Sequence, residues 1–288
     1  MNLMRVVALI VIAVSMVAAS SKVIAASWWS IDETRAFQGT GDSLVRVSVL
    51  TIDLAKANLR ILSVPFELGT SPRSTELSVN GFALKLSRDK KYQGKEWILV
   101  NGGFSSYRVD VPLGLLVVDG KVYSTLSKEE SKRPIPSTTS EYSQYRWSGV
   151  LCQGRVIRTW DIIPVARYTP GSCHQALQAG PVPVEPISKV AISSSEPKSE
   201  PRYVRTAICI VDESTMKIAI TQNETHLLPM ALWMSKPVAG GGLGCRVALN
   251  LSGDNSAGVA INSVGSKSPK LLGVGTFPLP TVLLFEAQ

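Results

Sequence analysis

Apolar and polar residues alternate with period two along much of this chain, the signature of strands that bury one face. Residues 44–49 (LVRVSV) alternate in this way, and residues 58–64 repeat the pattern. A short apolar run at 97–100 stops at Asn101-Gly102-Gly103. Residues 115–118 and 121–123 flank Asp119-Gly120, a pair that accepts the positive φ of a type I′ hairpin turn. Residues 204–211 and 217–221 read as a second hairpin, and 246–251 as a last strong strand before Ser252-Gly253. Helical spacing is rarer. Residues 75–91 are one candidate, with Gly81 weakening it by about 1 kcal/mol relative to alanine. Residues 226–235 are the other: Thr225 is the expected cap, Pro229 sits in the first turn where no amide bond is lost, and Pro237 ends the run. The pattern predicts an α+β fold, a strand-rich mixed sheet core with few helices.

The amino terminus is of another kind. A short basic start ending at Arg5 leads into an apolar run over 6–19, interrupted only by Ser15. That is the layout of a cleavable secretion signal, and it falls short of the roughly 20 apolar residues that span a bilayer. Val23 and Ala25 occupy the −3 and −1 positions of a cut before Ala26. The expected organisation is a signal peptide over 1–25 and one domain over 26–288, secreted or periplasmic, with no permanent membrane anchor. Residues 186–202, rich in Pro, Ser, Lys and Glu, have little to bury and predict a flexible insertion inside that domain.

Composition narrows the chemistry. The chain is 45% hydrophobic, enough for a substantial core, and carries a net charge of +8. Without Arg5 and Lys22 there remain 28 basic against 22 acidic residues, scattered with no run longer than Lys90-Lys91. A dispersed surplus suits anionic substrates or an anionic cell envelope and argues against nucleic acid. Cys152, Cys173, Cys209 and Cys245 form no C-x-x-C pair, so zinc and dithiol redox motifs have no support. In an oxidising compartment an even count implies disulfides, with three pairings open.

No Walker loop, dinucleotide fingerprint or HExxH motif is present, and His174 and His226 are the only histidines. Residues 254–258 (DNSAG) approach the G-x-S-x-G elbow but lack its first glycine. What remains is a set of segments that join a strand end to a polar side chain, three of them with glycine. They are Asn101-Gly102-Gly103, Gln178 to Gly180, Arg205-Thr206, and Asn250 through Ser252, Gly253 and Asp254 to Ser256. Glycine lets a backbone approach a ligand closely, amides suit sugar hydroxyls, and arginine offers a fork of donors to phosphate. Asp254 is the one carboxylate among them, able to accept a proton or to bind a divalent cation.

The segments NGGF, LGLLVVDGK, ALQAGP, RTAI and LGCRVALNLSGDNSAG, in that order between about Val45 and Ile261, resemble the phosphodiester glycosidase family. The resemblance implies hydrolysis of a sugar-1-phosphodiester, with a glycosyl phosphodiester or cell-envelope glycan as partner and the site at the strand ends. By position it implies catalytic roles for Asn101 and Arg205; the family's acid falls at Ser252, and Asp254, two places later, is the carboxylate expected to take over its catalytic role. Substrate contacts would come from Gly102, Gly103, Gln178, Gly180, Thr206, Asn250, Ser252, Gly253 and Ser256. The chain departs from the family in its last segment: the usual Leu-Asp-Gly-Gly-Gly-Ser is Leu251-Ser252-Gly253-Asp254-Asn255-Ser256 here. A non-catalytic envelope protein that binds glycan or phosphosugar is the alternative expectation.

Overall fold

The computed structural model describes residues 24–25, 28–41, 43–64, 67, 77–104, 111–127, 147–192 and 202–288. The signal peptide lies outside these except for Ile24 and Ala25, as do residues 193–201 of the expected insertion. In chain order the strands are β1 (Ile24–Ala25), β2 (Trp29–Gln38), β3 (Leu44–Asp53), β4 (Ala57–Ser63), β5 (Trp97–Asn101), β6 (Leu116–Val118), β7 (Lys121–Ser124), β8 (Gly149–Gly154) and β9 (Trp160–Pro164). There follow β10 (Cys173–Ala179), β11 (Val184–Glu185), β12 (Lys189–Val190), β13 (Thr206–Ile210), β14 (Thr215–Thr221), β15 (Val247–Asn250), β16 (Gly258–Asn262), β17 (Lys270–Gly273) and β18 (Thr281–Ala287). Two helices accompany them, α1 (Val79–Arg88) and α2 (Leu227–Ser235).

The strands form three sheets, ordered β1-β2-β3-β14-β13-β15-β11-β12, β7-β6-β10-β8-β9 and β17-β16-β5-β18-β4. The fold is the strand-rich α+β class that the alternation implies, and every strand pairing among the described residues is antiparallel. Alternation decides which residues meet. On the first sheet Leu50, Ile208 and Ile218 face a central core shared with Ile61, Ile98 and Phe285 of the third sheet and Leu151 and Leu177 of the second. The opposite face, with Val47, Val49, Ala207 and Ala219, is covered by Met230, Trp233 and Met234 of α2. On the third sheet the outer face carries Leu62, Trp97 and Leu99, covered by Val79, Phe82, Ala83 and Leu86 of α1. The order is therefore helix, sheet, core, sheet, helix, with the second sheet closing the side. Each fully buried side chain of this size contributes about 1.5–3 kcal/mol. Phe82→Ala would remove one whole wedge between α1 and its sheet, at a cost of about 3–5 kcal/mol.

The helix ends show how local chemistry overrides pattern. Ser78 caps α1 by accepting from Gly81 N at 3.1 Å, so this glycine lies in the first turn, where its missing side chain matters least. The expected Thr225 cap of α2 is not made. His226 is the capping residue, with no side-chain cap bond, and Thr225 Oγ1 donates to His226 O. The reason is the Tyr203–Thr225 bridge, which holds Thr225 in an extended pairing instead. Two disulfides resolve the open pairings. Cys152–Cys173 joins neighbouring β8 and β10, and Cys209–Cys245 ties β13 to the segment entering β15.

Candidate functional site

The four segments, three of them glycine-bearing, meet where the three sheets end. Asn101 closes β5, and its Nδ2 donates to Ser252 O at 2.7 Å while its Oδ1 accepts from Gly258 N at 3.1 Å. Ser252 N donates back to Gly102 O. Gly102 N and Gly103 N donate to Thr281 O and Thr281 Oγ1 at the start of β18. A side chain at Gly103 would collide with Gln178 O, at 2.8 Å from its Cβ, so this glycine is what admits the second segment. On the other side, Asn250 Nδ2 donates to Gly180 O at 3.1 Å, Leu251 N to Thr206 O and Asp254 N to Val204 O.

The side chains do different work. Gln178 is fully buried and uses both ends of its amide. Its Oε1 accepts from Leu115 N and Ser127 N, both at 2.9 Å, and its Nε2 donates to Ser127 O and Trp147 O. Asn101 is likewise buried and bound to backbone at both ends. These two amides fasten the walls of the site together. Asn250, 4% exposed, differs: its Nδ2 donates to Gly180 O and Leu251 O, but its Oδ1 has no partner. Its ladder partner is Ala207, and Arg205 lies two residues from Ala207, so Arg205 and Asn250 belong to one face of the sheet. Thr206 falls on the opposite face with Ile208, and its buried Oγ1 is also without a partner.

Arg205 is 5% exposed. Its Nε donates to Thr225 O at 3.0 Å, its N to Thr221 Oγ1, and its guanidinium lies over the Tyr203 ring at 5.6 Å. Tyr203, Thr225 and Thr281 therefore support the site, though none stands out in the sequence. Tyr203 follows a polar stretch that reads as loop, Thr225 reads as a helix cap and Thr281 as an ordinary strand-end residue.

The departing segment explains itself in part. Asp254 has φ 55°, and residues 254–256 form a single 3-10 turn. Left-handed backbone of this kind is free for glycine and tolerated by aspartate, which accounts for glycine in the family pattern and for Asp as a permitted substitute. The turn also ends the strand alternation. Ser252 and Ser256 are buried, whereas Asp254 is exposed. Among the described residues no group of three or more His, Cys, Asp or Glu is placed to hold a metal ion.

The model of the phosphodiester glycosidase family matches residues 95–286, which hold all four segments. This chain belongs to that family. Its fold is similar to the zebrafish N-acetylglucosamine-1-phosphodiester alpha-N-acetylglucosaminidase catalytic domain, auto-inhibited by its pro-peptide. That match has a TM-score of 0.56 at 12% identity, over 91% of this chain and 89% of that one. It is also similar to a hypothetical protein from Synechocystis, with a TM-score of 0.50 at 13% identity, over 90% of this chain and 62% of that one. At such identities the likeness is one of fold alone. No curated protein matches by sequence.

Proposed function

We propose that this chain is an exported hydrolase that cleaves a glycosyl phosphodiester, leaving a free sugar and a phosphomonoester. Asn250 supports this reading most. It holds a buried acceptor with no protein donor, on the sheet face that carries Arg205, where the four segments meet. Buried acceptors are almost always satisfied, and a sugar hydroxyl is a donor of the right kind. Arg205 brings a fixed positive charge for the phosphate. Asn101 and Gln178 are positioning residues, since their amides hold backbone. Asp254 is pinned by its backbone to Val204, next to Arg205, and takes the role of general base toward the attacking water. Such help is worth about 10²–10⁴ in rate. Two disulfides fit an oxidising compartment, secreted or periplasmic.

One observation favours a second reading, binding of envelope glycan or phosphosugar without cutting: Ser252 stands where the resemblance places the family's acid. Turnover of a chromogenic glycosyl phosphodiester separates the two. Activity in the wild type that falls about 10²-fold or more in Asp254→Asn, with an unchanged melting temperature, supports hydrolysis. A wild type that binds the phosphosugar without turning it over, and gains activity in Ser252→Asp, selects the binding reading.

A further inference from the structure

The hairpin between β8 and β9 ends far from the site residues in sequence and carries an unusual tip. Val156 is 94% exposed and Ile157 is 69% exposed, side by side, with exposed Arg155 and Arg158 immediately outside them. Two adjacent aliphatic side chains turned into water are unfavourable unless something covers them.

The tip is held in this form. Gly154 N donates to Thr159 O at 3.1 Å, Arg155 N to Ser172 O at 3.0 Å, and Gln153 Nε2 to Arg158 O. A side chain at Gly154 would strike Ile157 O, so the turn is as tight as glycine allows. Two residues below, Cys152 is bonded to Cys173, which fastens the hairpin to the strand beside it. The tip therefore cannot fold its apolar pair back onto the body of the protein. Its charge is one-sided. The turn itself, residues 153–160, contains Arg155 and Arg158 and no acid, and the next residue, Asp161, is paired with Arg246 at 3.0 Å.

We infer that this tip seats the protein on an anionic phospholipid surface, with Val156 and Ile157 entering the headgroup–acyl boundary and the arginines pairing with lipid phosphates. An anionic polysaccharide or an acidic protein would satisfy the arginines, but a hydrated polymer leaves the aliphatic pair in water. A bilayer interface accepts both. Each arginine near an anionic leaflet raises partitioning about fivefold. With only two apolar residues inserted, binding is peripheral and reversible. Among the described residues no helix is long and apolar enough to cross a membrane.

The test uses the exported, mature chain in flotation with phosphatidylcholine vesicles, with and without 40% phosphatidylglycerol. Binding to the anionic vesicles only is expected, weakening as salt is raised. Val156→Asp combined with Ile157→Asp should lower it by about tenfold or more. Arg155→Gln with Arg158→Gln should lower it by about 25-fold and flatten the salt dependence. Both pairs lie on an exposed turn, and melting curves matching the wild type certify their folds. Ile157→Trp gives an independent reading, because its emission, over that of the six native tryptophans, should shift to the blue on anionic vesicles. Unchanged binding in the double aspartate variant, an unshifted Ile157→Trp spectrum, or capture by dextran sulfate with no vesicle binding would each overturn the inference.

Discussion

Gln178 and Asn250 look alike in sequence: each is an amide at the end of a strand, next to glycine or a turn. Both are buried within one junction of sheets. Gln178 makes four hydrogen bonds to backbone, whereas Asn250 uses its nitrogen and leaves its oxygen without a partner. An amide saturated by its own protein is a fastener. One half-satisfied in a buried position is completed from outside, or else carries an uncompensated cost of about 1–3 kcal/mol. The contrast separates an amide that builds this junction from one that the proposed substrate would complete.

Substitutions can break the contrast. Gln178→Ala removes a partner from Leu115 N, Ser127 N, Ser127 O and Trp147 O together. Denaturant unfolding should register a loss of about 3–5 kcal/mol, with any fall in activity following the loss of folded protein. Asn250→Ala should do the reverse. Stability changes by about 1 kcal/mol, because two donor bonds are lost while an orphaned acceptor disappears, and turnover of a glycosyl phosphodiester falls about 10²-fold. If Asn250→Ala unfolds the protein and spares turnover in what remains folded, Asn250 is a second fastener and the distinction collapses.

The smallest effect lies at a turn distant in role from the site. Burial pulls the Asp212 carboxyl upward, but hydrogen bonds from Ser214 and Thr215 outweigh it and hold the group below its usual value. A lowered carboxyl contributes stability that is present above the ordinary carboxylate range and fades as pH falls through the folded value. The stability gap between wild type and Asp212→Asn should therefore narrow steadily from pH 5 toward pH 3, with no change in turnover at neutral pH. A gap that does not vary with pH would show that neutral hydrogen bonding, not the charge, holds this turn.

Strands whose alternation is strong were legible in the chain. The runs at 44–49, 58–64 and 97–100 became β3, β4 and β5, and Asp119 and Gly120 take the positive φ, 50° and 78°, that their turn requires. Two strands were hard to read for physical reasons. Trp29 to Gln38 is half-exposed and carries Asp32, Glu33 and Arg35, with a register shift between Asp32 and Arg35 that breaks its period. Cys173 to Ala179, of which the pattern marks only the end at Gln178, has the weakly alternating sequence CHQALQA and is held by neighbours on both sides. In the site, glycine and amide spacing exposed the meeting segments. Spacing could not tell Gln178 from Asn250, because hydrogen-bond saturation depends on Ser127 and Trp147, and Arg205 rests on Tyr203 and Thr225.

Thr281 has a bearing on how the protein comes into being. The two glycine amides after Asn101 are held by Thr281, some 180 residues further along. A nascent chain leaves the ribosome amino end first, so Asn101, Gln178, Arg205 and Asn250 emerge before Thr281. The wall that Gly102 and Gly103 form is therefore completed only when nearly the whole chain has been made. Truncation ahead of Thr281 would yield a chain carrying every site residue named above but lacking the clasp that brings them to order.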